Sequence, residues 1–189
     1  RHGLNQESIE TKELAHYFEG RIFDINDYCK HQDNSSPLKY LQNKGILSTI
    51  NKLILKTDFQ LELSAREKSI VMETLELPES ALKRVGKDIN RNRTIVAQIK
   101  KLSEKYKKIL VFASSKENSD NLASILTLLG HKAKSITGET PMSDRIRSVK
   151  NFKKGDIQIL LNYNVFTTGF DEPKIDCVVI ARPTTSVVL

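Results

Sequence analysis

The stretch Lys108–Gly130, KILVFASSKENSDNLASILTLLG, decides the fold. Its first six residues, ending at Ala113, form an apolar run of strand length. Two serines follow, and leucine and isoleucine then recur at helical spacing until Gly130 stops the pattern. A buried strand that passes through a polar turn into an amphipathic helix is the repeating unit of an α/β fold.

The same order continues after Gly130. Further strands are predicted for HKAKSI (131–136), IQILLN (157–162) and CVVIA (177–181). The helix between the first two is expected to begin with Thr140 as N-cap and to face inward through Ile146. Near-continuous apolar strands indicate a parallel sheet covered on both faces, hence an open, doubly wound α/β domain. Ligands of such sheets bind outside the carboxyl ends of the strands.

The first half of the chain has a different pattern. DFQLELS (58–64) alternates apolar and polar residues like a half-buried strand, and Ser64 and Glu67 form a capping box that opens a helix. The pattern predicts a mostly helical appendage over residues 1–87 and a compact α/β domain over residues 88–189. A long amphipathic helix with a basic outer face leads into the first strand of that domain.

Composition and charge limit the class of protein and the kinds of binding partner that the sequence allows. Apolar residues make up 39% and charged residues 28% of the 189, which is too apolar for a disordered chain. No apolar run approaches the ~18 residues of a membrane span. The net charge is +7, and residues 83–108 contain ten Lys or Arg against two acids. Such a block indicates either a polyanion partner or a solvated helix face, and Lys100, Lys101 and Lys105 test the choice.

Several familiar sites are absent from the sequence. It contains no GxxxxGK[ST] or GxGxxG pattern, and its four histidines lack metal-ligand spacing. Cys29 and Cys177 are far apart, which fits a reducing, cytoplasmic setting. The chain opens on Arg1 and ends in TTSVVL, so we expect a fragment of a longer protein. A self-contained enzyme is not predicted.

The turns after the predicted strands carry small hydroxyl residues and glycines. Ser114 and Ser115 follow the first strand, Thr137 and Gly138 the second, and Thr167 the third. Hydroxyls and backbone amides at strand-to-helix turns suit phosphate oxygens, so the three turns form a candidate track for a sugar–phosphate backbone. The alternative for each turn is helix capping.

Asp171 lies in the loop TGFDEP, between a glycine and a Glu-Pro turn. A carboxylate there can accept hydrogen bonds from a ribose, as the acid of dinucleotide-binding folds does, or it can stabilise the turn.

Three segments together resemble a known family. ILVFASS is similar to motif IV, ITGETPMSDR to the following glycine-and-arginine motif, and VFTTGFDEPKIDCVVIARPT to motif V of superfamily 2 helicases and translocases. The resemblance covers about Lys107 to Leu189 and implies the second, RecA-like motor lobe. Within the superfamily, the sequence TTGFDEPKIDCVVIARPT (167–184) is most similar to the branch of restriction-enzyme motor subunits and DNA-repair translocases. ETKELAHYFEGRI resembles the linker that follows the first lobe.

The resemblance implies roles for individual residues. Gly169 and Asp171 would contact ATP from the second lobe. The tracked strand would be held by Ser114, Ser115, Thr137, Gly138, Tyr163, Asn164 and Thr167. ATP and Mg²⁺ would serve the full-length protein, and the partners would be nucleic acid, with DNA implied by the branch, and the first motor lobe. Asn164 and Thr168 depart from the family pattern, and motif VI would begin beyond Leu189.

Three hypotheses follow. The first is a fragment of an ATP-dependent DNA helicase or translocase, inactive alone. The second is a non-catalytic nucleic-acid-binding module with lapsed motor chemistry, towards which Asn164 points. The third is an α/β domain that binds a small nucleotide by itself.

Overall fold

The structure is a computed structural model, and it describes residues 12–13, 16–17, 36–166, 170 and 172–183. Residue contacts divide the chain into two compact units, Arg1–Leu55 and Lys56–Leu189. In the first unit, helix α1 spans Pro37–Asn43, and the Ser36 hydroxyl caps it by accepting a hydrogen bond from the backbone of Lys39. The domain boundary expected at residue 87 stays a prediction.

The second unit begins with three helices. These are α2 (Ala65–Thr74), α3 (Glu79–Lys87) and α4 (Ile89–Lys105). The capping box at Ser64 and Glu67 is present as predicted. The segment 58–64 is not a strand: its apolar side chains are half-buried in alternation, but no neighbouring strand pairs with it. None of the helices in the described residues is both long and apolar enough to span a membrane.

A four-stranded parallel sheet follows and confirms the predicted fold class. Its strands are β1 (Ile109–Phe112), β2 (Ala133–Ile136), β3 (Ile159–Asn162) and β4 (Cys177–Ile180), and their order is β2-β3-β1-β4. Helix α5 (Lys116–Leu128) connects β1 to β2, and α6 (Met142–Lys154) connects β2 to β3. All three strand pairs are parallel, with Ile109 opposite both Ile159 and Cys177.

The two central strands, β1 and β3, are almost entirely apolar because helices cover both of their faces. Helices α4 and α5 pack on one face, where Ile99, Leu122 and Leu126 are fully buried against alternate residues of β1 and β3. Helix α6 packs on the other face, where Phe152 is buried against the remaining strand residues. Helices on both faces of a parallel sheet make the domain doubly wound.

Two residues expected to face inward do not. Ile125 of α5 is 41% exposed and Ile146 of α6 is 57% exposed. Each helix contacts the sheet through a narrow stripe, and these side chains lie at its margin. Helix α6 also begins one residue later than expected, with Pro141 at its N-cap position.

Glu67 joins α2 to α3. Its carboxylate accepts two hydrogen bonds from the Arg84 guanidinium, at 2.8 and 2.9 Å, and one from the Ser80 hydroxyl. The bonds from Arg84 and Ser80 hold the pKa of Glu67 far below its ordinary value of 4.5. The ionised form therefore stabilises the fold above that ordinary value, and this contribution is lost as the pH falls further.

We expect Glu67→Gln to lower the Tm near neutral pH. We also expect the Tm of the variant to decrease less on acidification, because the variant has no carboxylate at this position to protonate. Thermal unfolding followed by circular dichroism from about pH 7 to about pH 3 measures both effects. Glu73→Gln, on the exposed side of the same helix, is the matched control. Equal pH dependence of the Glu67 variant and the unsubstituted chain would contradict the assignment.

Candidate nucleic-acid interface

Three turns lie together at the carboxyl edge of the sheet. They follow β1, β2 and β3, which are parallel and adjacent, so the turns carrying Ser114 and Thr137 share one edge as expected. A cavity of about 310 Å³ opens there, hereafter the edge cavity. Its lining consists of Glu79, Lys83, Lys116, Glu117, Gly138, Glu139, Tyr163 and Asn164. Of the residues predicted to hold a strand, Gly138, Tyr163 and Asn164 line it.

The two serines after β1 are buried and bonded within the protein. The Ser114 hydroxyl donates to Asn118 Oδ1 at 3.1 Å. The Ser115 hydroxyl accepts from the Asn118 backbone N–H at 3.1 Å and caps α5. In this structure the Ser115 hydroxyl thus serves the capping alternative and the Ser114 hydroxyl binds the Asn118 side chain, and the role of both towards nucleic acid stays a prediction.

Asn118 connects these serines to the preceding helices. It is 1% exposed, and its Nδ2 group donates to Gly86 O and to Asn92 Oδ1, each at 3.0 Å. Asn92 Nδ2 donates in turn to Gly86 O at 2.7 Å. Because a side-chain amide offers two donors and an acceptor, one residue joins α3, α4, α5 and the turn after β1.

Gly86 allows α3 to approach this network. A Cβ atom at that position would lie 2.8 Å from both Asn118 Cβ and Ser114 Oγ, closer than side-chain contacts allow. The close approach brings Glu79 and Lys83, on the same helix, to the edge cavity. Sequence analysis did not assign either residue to the site.

The turn after β2 is held by its own residues. Thr137 is buried, and its backbone N–H donates to the Thr140 hydroxyl at 2.9 Å. Thr140 therefore stabilises the turn instead of capping α6. Arg145 donates from its guanidinium to the carbonyl of Thr137 at 3.3 Å. Gly138 has open space around the position of a Cβ atom, which leaves room for a ligand to approach the backbone.

The turn after β3 receives an arginine from beyond β4. Asn164 has φ +54°, a left-handed conformation that asparagine tolerates better than most residues. Its Oδ1 accepts a hydrogen bond of 2.6 Å from Arg182, whose guanidinium carbon lies 5.9 Å from the centre of the Tyr163 ring. Burial and the nearby Glu79 charge raise the pKa of Tyr163. Arg182 thus adds a cation beside the edge cavity.

Helix α4 fixes the end of β4 from which Arg182 projects. Asp88 caps α4 by accepting from the Arg91 backbone N–H, and the Arg91 guanidinium donates to Ala181 O at 2.6 Å. The carboxyl end of the edge strand is therefore tied to the helix that precedes the sheet.

Thr167, Gly169 and Asp171 lie outside the described residues, so their predicted roles stay predictions. Their described neighbours are anchored on the α6 face of the sheet. Phe166 stacks on Phe170 with ring centres 4.2 Å apart, and both pack against the second core cluster.

Glu172, directly after Asp171, is bound at the opposite end of the sheet. It accepts from Lys108 Nζ at 3.1 Å, and Lys108 also donates to Lys153 O at 2.7 Å. Burial opposes ionisation of Glu172, but the bonds from Lys108 and from the Lys174 backbone outweigh it and leave its pKa lowered. The chain therefore passes from the carboxyl edge at Phe166 to the amino end of β1 at Glu172.

The lysines of the edge cavity are paired with glutamates. Lys83 Nζ lies 3.0 Å from Glu79, one helical turn away, and Lys116 forms an ion pair with Glu139. Glu79 raises the pKa of Lys83, and Glu139 raises the pKa of Lys116. The cavity is thus close to charge balance.

The lysines of the basic helix α4 lie away from these turns. Lys100, Lys101 and Lys105 are near the end of α4 that leads into β1, at the amino edge of the sheet. Gln158, just before β3, confirms this placement by donating to the carbonyls of Ser103 and Tyr106. They lie at the other edge from the edge cavity because α4 runs antiparallel to the strands, with Arg91 at the carboxyl end of β4.

No three His, Cys, Asp or Glu side chains are grouped as metal ligands within the part of the chain that the structure describes.

Comparison with known proteins identifies the α/β part of the chain. Residues 90–188 match the family described as the helicase conserved C-terminal domain. Over 153 residues the chain is 28% identical to IRC3 of Saccharomyces cerevisiae, named as an ATP-dependent helicase, covering 78% of this chain and 22% of that protein. Over 73 residues it is 40% identical to the ATP-dependent RNA helicase DRS1 of Eremothecium gossypii, covering 39% of this chain and 10% of that protein.

Among solved structures, the helicase domain of Hef from Pyrococcus furiosus is similar with a TM-score of 0.44 and 19% identity, covering 92% of this chain and 30% of that chain. The present chain spans between 10% and 22% of the length of the two named curated relatives.

Asn118→Asp tests the network behind the edge cavity. The substitution replaces two donated hydrogen bonds by a carboxylate facing the oxygens of Gly86 and Asn92, so we expect a loss of about 1–3 kcal/mol in the free energy of unfolding. That loss corresponds to a Tm lowered by roughly 2–4 °C per kcal/mol. Asn121→Asp makes the same chemical change on the exposed side of α5 and should have little effect. Equal Tm values for the two variants would contradict the role of Asn118.

Proposed function

Because the chain belongs to the family of helicase conserved C-terminal domains, we propose that it is the second motor lobe of an ATP-dependent helicase or translocase. In this proposal the lobe offers its carboxyl edge to a nucleic-acid strand. It also supplies one side of an ATP site that is completed by the first motor lobe of the full-length protein.

The edge cavity is the observation that carries the proposal. Four segments that are distant in sequence contribute to it, and they present a backbone open at Gly138, two lysines and the Tyr163 ring. Arg182 lies beside them. Short donors, cations and an aromatic face are the groups that hold a sugar–phosphate backbone and stack on bases without reading sequence.

DNA is the proposed nucleic acid, and RNA is the competing one. The resemblance of residues 165–184 to restriction-type and repair-type DNA translocases supports DNA. Several relatives are named ATP-dependent RNA helicases, which supports RNA as the alternative. Equilibrium binding to oligothymidylate and oligouridylate of equal length distinguishes them.

ATP and Mg²⁺ are the cofactors proposed for the full-length protein. Gly169 and Asp171 are the residues of this chain that we propose for contact with the nucleotide, and the family resemblance supports this choice. ATP supplies the energy for strand movement, while this lobe positions the strand and one side of the nucleotide.

A non-catalytic nucleic-acid-binding module is the second candidate, and Asn164 favours it. Its side chain is neutral and already bonded to Arg182, so it has no charge-based part in a motor cycle. Nucleic-acid-stimulated ATP hydrolysis by the full-length protein would exclude this candidate.

Two pairs of lysine substitutions test where a strand binds. We expect Lys83→Ala with Lys116→Ala to weaken oligonucleotide binding and to reduce the slope of log affinity against log salt by about 0.7–0.9 for each lost phosphate contact. Lys100→Ala with Lys105→Ala removes the same charge at the amino edge and should change the slope less. Fluorescence anisotropy at several salt concentrations gives both slopes. If the two pairs reduce the slope equally, binding is not localised at the carboxyl edge.

A second prediction concerns catalysis. We expect the 189-residue chain to release no phosphate from ATP, with or without oligonucleotide, because its sequence has no GxxxxGK[ST] loop to hold the triphosphate. A continuous phosphate-release assay measures this. Turnover that persists after further purification would contradict the proposed division between two lobes.

A further inference from the structure

Each lysine of the edge cavity forms an ion pair with a glutamate, Lys83 with Glu79 and Lys116 with Glu139. We propose that Glu79 and Glu139 compete with nucleic-acid phosphates for Lys83 and Lys116, so that a strand binds here by exchanging carboxylate partners for phosphate oxygens. The inference rests on the proposed function and adds that these two glutamates limit the affinity of the edge cavity for nucleic acid.

The charges of the edge cavity make an exchange necessary. Its lining contains three glutamates and two lysines, so the observed arrangement does not attract a polyanion. Arg182, beside the cavity, donates a hydrogen bond to Asn164. Its positive charge makes the local net charge zero but not positive. A phosphate gains from the two lysines only after their carboxylate partners have moved away.

The ion pairs are exposed enough to open. The side chains of Lys83 and Glu79 are 45% and 64% exposed, and those of Lys116 and Glu139 are 37% and 73% exposed. Exposed pairs contribute little stability because water solvates the separated charges. A phosphate oxygen offers a lysine the same type of acceptor as a carboxylate oxygen, so the exchange needs no rearrangement of the fold.

The third glutamate, Glu117, forms no ion pair within the described residues and acts on Lys83 and Lys116 through its charge alone. Hydrogen bonding to its own backbone N–H lowers the pKa of Glu117, as does a weaker bond with the Ser115 hydroxyl. Glu117 therefore belongs to the N-terminal cap of α5, where a negative charge is favourable. Glu79 and Glu139 are the two carboxylates that can leave.

One of the two pairs comes from outside the family domain. Glu79 and Lys83 lie on α3, whereas the family match begins at residue 90. The contact of Gly86 with Asn118 holds α3 against the turn after β1, so the preceding segment contributes a regulating ion pair to the edge.

Glutamine substitutions in the 189-residue chain test the exchange. We expect Glu79→Gln and Glu139→Gln each to tighten binding of a fluorescein-labelled oligothymidylate roughly 2- to 5-fold at low salt, the factor that corresponds to an exposed ion pair. Glu104→Gln removes one negative charge at the far end of α4 and should leave the affinity unchanged. Thermal unfolding verifies that each variant is folded.

A double-mutant comparison separates exchange from simple charge removal. In a Lys83→Gln background, Glu79→Gln should no longer tighten binding, because the lysine for which it competes is gone. Retention of the full gain in that background would overturn the exchange, and so would unchanged affinity of both single glutamine variants. Failure of the unsubstituted chain to bind either oligothymidylate or oligouridylate would instead refute the proposed function, and the inference with it.

Discussion

The buried amide of Asn118 is the contact on which the carboxyl edge depends. Its two N–H groups donate to Gly86 and Asn92, and its oxygen accepts from Ser114. A buried amide must satisfy all these groups within the protein, because each unpaired one costs free energy. That requirement fixes α3, α4 and the turn after β1 at one point and leaves the neighbouring turns free to form the edge cavity.

This arrangement changes what the residues in the turns can do. Ser114 and Ser115 have hydroxyls suited to phosphate, yet the protein uses them to build the support behind the cavity. The groups that face outward come from other places: Lys83 from α3 and Arg182 from beyond β4. In this structure the groups available to nucleic acid at the edge cavity are these side chains, while a direct role for the serine hydroxyls stays a prediction.

The sequence predicted the four strands and their parallel direction. Apolar runs followed by polar turns are local signals, and they are visible in the strands that begin at Ile109 and Ile159. It also predicted that the turns meet, since parallel strands end together. It did not predict that Arg182 reaches Asn164, eighteen positions away, or that α3 lies at the edge, since no periodicity assigns that helix there. These contacts depend on tertiary packing, which also places the lysines of α4 at the amino edge of the sheet, a position that a charge count along the chain does not give.

The placement of charge bears on how such a lobe can act. The net charge of +7 suggests general attraction to a polyanion, but Lys100, Lys101 and Lys105 lie at the amino edge, while the lysines of the edge cavity are neutralised by glutamates. Under the proposed function, a strand would be attracted by the net positive charge at long range and held only weakly where it is contacted. Weak, exchangeable contacts suit a surface that must release a strand as often as it binds one, since a motor cannot advance along a track that it holds tightly in every state. The glutamates at the edge therefore fit a lobe whose grip is set by its partner lobe and not by its own charge.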